Sequence, residues 1–170
     1  MTRHATVRSK SGRLKLSITA HAGAKHVAHL RKHLLAAWPL VEGAPEELSI
    51  ALVDDERMSQ LHKQFLNIDG PTDVLTFELD HNDAGRCVGG EVIVCVPEAQ
   101  RRAAELQIEP ADELLLYSLH GLLHLTGFDD RTPGDYRAMH KREDEILNQL
   151  KIGTLFHRPR PKVSRSRKRS

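Results

Sequence analysis

Pro110-Ala-Asp-Glu-Leu-Leu-Leu-Tyr-Ser-Leu-His-Gly-Leu-Leu-His-Leu-Thr-Gly-Phe-Asp-Asp130 decides how this chain folds. Proline suits the opening turn of a helix. Leucines at 114, 115, 116, 119, 122, 123 and 125 then make the run apolar nearly all round. Such a helix has no solvent face, so it is predicted to be buried against a sheet. Gly127 can take the left-handed conformation that ends a helix and turns the chain back on itself.

His120 and His124 stand four apart in that run, so both imidazoles project from one face, about one turn apart. Beyond the turn, Asp129 or Asp130 can swing back towards them. Two imidazole nitrogens and one carboxylate oxygen make the three-ligand set of a catalytic zinc site, with a fourth position left for water. The spacing alone says little, because the chain has 11 histidines in 170 residues. His29 and His33 repeat it on another helix, crowded by Lys25, His26, Arg31 and Lys32. His26, His29 and His33 are expected to form a solvated polar face. Burial separates the two pairs: histidines inside an apolar helix need partners, either backbone groups or a metal.

Outward from this helix, four strands are predicted at Leu14–Ala20, Leu48–Val53, Asp73–Leu79 and Gly90–Val96, from alternation or short apolar runs. Helices are predicted from Ala24 to Trp38, from Asp55 to Leu66, from Pro97 to Leu106, from Pro110 to Gly127, and from Gly134 to about Leu150. Asp54 is a plausible N-cap for the second helix, with Met58, Leu61 and Phe65 facing inward. The pattern predicts a single α+β domain: a mixed four-stranded sheet packed by about five helices, the histidine helix lying on it.

No stretch approaches the roughly 20 apolar residues of a membrane span. The polar, basic start lacks the core of a signal peptide. The two cysteines, Cys87 and Cys95, are too few for a disulfide framework and suit reduced thiols in the cytoplasm. The net charge of +2 conceals an asymmetry. His157 to Ser170 carries Arg158, Arg160, Lys162, Arg165, Arg167, Lys168 and Arg169 with no acid, leaving an acidic body. We expect a folded domain over 1–152 and a disordered basic tail over 153–170, able to lie on a phosphate backbone.

These residues resemble a known family, the YbeY endoribonucleases, which process ribosomal RNA. His120-Gly-Leu-Leu-His-Leu-Thr-Gly-Phe-Asp-Asp130 is similar to its signature His-Gly-x-Leu-His-Leu-x-Gly-Tyr-Asp-His. Asp69-Gly-Pro-Thr-Asp-Val-Leu-Thr-Phe77 and Gly90-Glu-Val-Ile-Val-Cys95 resemble two further motifs, in the right order. The resemblance spans about Leu48 to Leu150. It implies a metal-dependent, single-strand-specific endoribonuclease of the cytoplasm, acting in 16S rRNA 3′-end maturation and ribosome quality control. Its implied partners are ribosomal RNA and the small ribosomal subunit. Its implied cofactor is one Zn2+, with Ni2+ or Mn2+ as alternatives.

Two departures bear on the chemistry. The family's third histidine ligand falls on Asp130, six residues past His124. An aspartate oxygen binds zinc at about 2.0–2.2 Å, much as imidazole does, but lowers the site's charge by one unit. Greater tolerance of manganese or nickel follows. Asp129, the family's own aspartate, is then expected behind the ligands, orienting an imidazole or the loop. Second, Phe65-Leu66 stands where the family has Tyr-Arg, and leucine cannot clamp a phosphate. Lys63, Arg101, Arg102 and Arg131 are the cations that could replace it. Glu91 is read either as a general base or as a strand-edge surface acid. Two other functions remain open: a ribosome-assembly factor with a structural or degraded metal site, and a zinc peptidase. Against the peptidase, Gly121 occupies the position of the glutamate base in His-Glu-x-x-His.

Overall fold

The protein's computed structural model describes residues 12–155. The basic tail expected at the C-terminus lies outside the described residues, except for its first three. Strand β1 (Lys15–Ala20) leads through a short 3₁₀ turn into α1 (Val27–Ala37). Then come β2 (Glu47–Val53), α2 (Asp55–Leu66), β3 (Val74–His81) and β4 (Cys87–Cys95). Three helices follow among the described residues: α3 (Val96–Leu106), α4 (Pro110–His124) and α5 (Pro133–Gln149).

The sheet among the described residues runs β1-β2-β4-β3. β1 and β4 both lie parallel to β2, whereas β3 is antiparallel to β4. The predicted α+β architecture is therefore the one observed. Apolar residues on one face of β2 and β4, among them Leu48, Ile50, Leu52, Val92 and Val94, meet α1, α4 and α5 in the main core. A smaller core on the other face gathers Met58 and Leu61 of α2 with Leu75, Ile93 and Cys95. Cys87 and Cys95 are both free and buried. No helix among the described residues is long and apolar enough to cross a membrane.

Local signals act as expected at α2, where the Asp54 side chain accepts from the Arg57 backbone N–H at 2.8 Å. Phe65 departs from expectation: it is 52% exposed rather than buried with Met58 and Leu61. The last turn of α2 reaches the edge strand β3, where Phe65 packs on Phe77 with ring centroids 4.8 Å apart. The histidines of α1 also differ from the expected solvated face. His26 is buried, and His29 Nε2 lies 3.0 Å from Asp112 Oδ1. Packing of α4 across α1 supplies that acid from far along the chain, which local spacing does not reveal. Burial, more than the neighbouring histidine, holds His29 below the ordinary imidazole range, against the pull of Asp112.

Helix α4 touches the sheet through Gly121. A Cβ built there would sit 2.5 Å from Val92 Cγ1 and 3.0 Å from Thr76 Oγ1. Glycine thus lets the helix backbone approach the sheet closely. That contact fixes which way the neighbouring His120 points.

Candidate metal centre

Helix α4 carries His120 and His124 on one face, at the wall of a cleft of about 1040 Å³. The chain leaves the helix through Leu125 and Thr126, and Gly127 takes φ +100°. This turn carries Asp130 back over the rings. His120 Nε2 and His124 Nε2 lie 3.1 Å apart. Asp130 Oδ2 is 3.6 Å from the first nitrogen, and Oδ1 is 4.0 Å from the second. Ligand atoms about 2.0–2.1 Å from one tetrahedral ion stand roughly 3.3 Å apart, so these three groups have nearly the required spacing.

The outer ring nitrogens explain why the inner ones are available. His124 Nδ1 donates to the Phe128 carbonyl at 2.9 Å, and a carbonyl can only accept. His120 Nδ1 donates to Glu143 Oε1 at 2.6 Å. With both protons on Nδ1, two Nε2 lone pairs face one another at 3.1 Å. Such a pair repels unless a proton or a cation lies between, and a ring donating to a carboxylate or carbonyl is the usual posture of a metal-ligating histidine.

Glu143 holds the centre from behind. It is fully buried on α5, accepting from His120 through Oε1 and from His140 Nδ1 through Oε2 at 2.5 Å. His140 stacks on His120, with centroids 5.7 Å apart and planes inclined by 18°. Burial alone would raise the Glu143 pKa, but the two imidazoles outweigh it and hold the carboxyl below its ordinary value. For His120, burial pulls the pKa down, and Glu143 with Asp130 reverses that to a net rise. His124 is lowered, first by burial and then by His120 beside it. Among the described residues, two groups could hold a cation: His120 with His124 and Asp130, and His120 with His140 and Glu143. The second spends its atoms on internal hydrogen bonds. The first has its nitrogens facing the cleft.

Residues 11–151 match the family model described as endoribonuclease YbeY. The chain belongs to the YbeY family. A Thermobifida fusca protein named endoribonuclease YbeY is 36% identical over 133 residues, covering 74% of this chain and 84% of that one. Its Cutibacterium acnes counterpart is 40% identical over 108 residues, 59% of this chain and 70% of the relative. A solution structure from Thermotoga maritima is similar with a TM-score of 0.56 at 28% identity, covering 80% of this chain and 91% of that one.

Against the YbeY pattern, the structure sorts the remaining site residues. Asp129 faces the loop and not a ring: Oδ1 accepts from the Asp130 backbone N–H at 2.8 Å, and Oδ2 lies 3.1 Å from Arg131 Nε. Glu91, read as a general base or a surface acid, does not line the cleft. Its neighbours Gly90 and Val92 face α4, through Leu125 and Gly121. Strand alternation therefore points Glu91 to the opposite face of the sheet. Nor is it a strand-edge acid, since β4 lies between β2 and β3 and Glu91 pairs with Ser49 and Phe77. Leu66, at the position of the family arginine, is 55% exposed on the cleft wall. Of the four cations that could replace that arginine, Lys63 pairs with Asp69 and Arg131 with Asp129. Arg101 is taken up by Asp55 and Glu98. Only Arg102 among the four lines the cleft.

Proposed function

We propose that the chain is a metal-dependent endoribonuclease that cuts single-stranded RNA, with one divalent cation held by His120, His124 and Asp130. The convergence of two Nε2 atoms and a carboxylate within 4.0 Å, at the wall of a large cleft, carries this reading. The donor set of two imidazoles and one carboxylate suits Zn2+ and tolerates Ni2+ or Mn2+. Such an ion supplies Lewis acidity, polarising the phosphodiester and activating the attacking water. The chain's own residues do the positioning. Glu143 fixes the His120 ring and its tautomer, the Phe128 carbonyl fixes His124, and Asp129 holds the turn that presents Asp130. Arg102 is the guanidinium placed to bind a substrate phosphate in the absence of the family arginine.

The substrate we infer from the family resemblance is ribosomal: the 3′ end of 16S rRNA, matured on the small subunit in the cytoplasm, with a role in ribosome quality control. The basic residues from Arg158 to Arg169 would hold that RNA by salt-sensitive contact with its backbone.

The decisive experiment is incubation of the purified protein with precursor ribosomal RNA, with and without chelator. Cleavage that EDTA abolishes and added Zn2+ restores is the expected result. Tight binding without turnover would favour an assembly factor, and degradation of casein a peptidase. The peptidase reading also meets a steric obstacle, because the backbone approach at Gly121 leaves no room for a glutamate.

Glu143→Gln provides a finer test. An amide can still accept from one imidazole but puts a donor against the other. We expect Zn2+ affinity to fall about 10–100-fold, the usual cost of disturbing a group behind a ligand histidine. Competition with a chromophoric chelator measures it. Unchanged affinity would remove Glu143 from the centre.

A further inference from the structure

Glu113 stands two turns before His120 on α4, roughly 10 Å along the helix axis, and lines the same cleft. It is only 3% exposed, and its Oε2 has no hydrogen-bond partner. A buried acceptor left unsatisfied is costly, so the group calls for an explanation. Its place in the first turn of α4 suits a negative charge at a helix N-terminus. That accounts for an acid at this position but not for its burial or its unpaired oxygen.

The surroundings match one class of ligand. Leu106, Leu116 and Val74 give the cleft apolar walls, while Tyr117 and Arg102 add polar groups. Arg102 spends Nη1 on Glu105 Oε2 at 2.9 Å. Burial lifts the Glu113 carboxyl to about 7, against smaller opposing effects of Tyr117 and Arg102. Apolar walls beside a buried carboxyl with an unpaired oxygen, in a cleft that Asp73 and Thr76 also line, suit a splayed-out nucleobase read along its hydrogen-bonding edge. We propose that Glu113 is a base-reading residue, whose Oε2 accepts from the exocyclic amino group of an unpaired nucleobase in the RNA held across the cleft. Cytosine offers N4–H₂ where uracil offers only a carbonyl oxygen, which repels the Glu113 oxygen. Cytidine is therefore favoured over uridine at this subsite. The inference rests on the endoribonuclease reading and adds a selectivity to it.

Oligocytidylate and oligouridylate of equal length, cut in competition in one tube by the full-length, Zn2+-loaded protein, provide the test. Their ratio of kcat/KM is independent of how much enzyme is folded. At a pH of about 8.5, where the Glu113 carboxyl is ionised, its hydrogen bond is expected to favour oligocytidylate by roughly tenfold in the wild type. Glu113→Gln keeps one uncharged acceptor but also offers an amide donor to the uracil carbonyl, and should bring the ratio within about twofold of unity. Glu113→Leu, with no polar atom, should do the same. A wild-type ratio near one overturns the inference while leaving the endoribonuclease reading intact, and so does a ratio that survives both substitutions. If the wild type cuts neither RNA, the underlying reading fails and takes this one with it.

Discussion

His120→Ala is expected to lower single-turnover cleavage of single-stranded RNA by about 1000-fold or more, the loss of several kcal/mol of transition-state stabilisation. The bound metal should fall from one ion per chain to almost none. The substitution removes one nitrogen of the proposed centre and also strips Glu143 of one of its two imidazole partners. A carboxylate buried to 0% exposure is then left with His140 alone, so the variant should also melt at a lower temperature. His124→Ala separates the two effects, because its outer nitrogen meets only the Phe128 carbonyl near the surface. It should lose metal and activity to a similar degree with a smaller loss of stability. Elemental analysis, cleavage rates and thermal melts on the two variants check this. Full activity in either one would remove the centre from the reaction.

Gly121→Ala is the second large effect, and it concerns folding. A Cβ at this position lies 2.5 Å from Val92 Cγ1, 2.7 Å from Cγ2 and 3.0 Å from Thr76 Oγ1. Val92 is itself fully buried and branched at Cβ, so it has little freedom to turn away. Overpacking of this kind costs roughly 1–3 kcal/mol. In a domain of this size each kcal/mol lowers Tm by about 2–4 °C. Gly121→Val should exceed that range and yield little folded protein. Gly134→Ala is the control, since the nearest atom to its added Cβ is Thr132 Oγ1 at 4.0 Å. If Gly121→Ala melts with the wild type, α4 does not approach the sheet as described.

Much of this architecture could be read from local pattern, and what escaped has a common cause. The buried α4 was evident from leucine on every side, and the α2 N-terminus from Asp54. The turn after α4 was evident from Gly127, whose left-handed φ the structure bears out. By contrast, Glu143 reaches His120 across 23 residues, and Asp112 reaches His29 from another helix. No spacing rule joins such residues. A signal for Glu143 did exist: with Met139, Ile146 and Leu147 it lies on the buried stripe of α5, an acid where an apolar residue is expected. Glu91 was left open for a related reason. Alternation shows that Gly90 and Glu91 face opposite ways, but which face receives α4 depends on how the sheet is assembled. Phe65 had the periodicity of a core residue, yet it falls where α2 meets the rim of the sheet.

The carboxylate of Glu143 clasps one ring from α4 and one from its own helix, so docking of the C-terminal helix and aim of the His120 imidazole are a single event. A chain that has not seated α5 has no finished centre. The ordering entropy of the ligand ring is therefore settled during folding, before any RNA arrives, and the centre behaves as a rigid fixture instead of one that the substrate must mould.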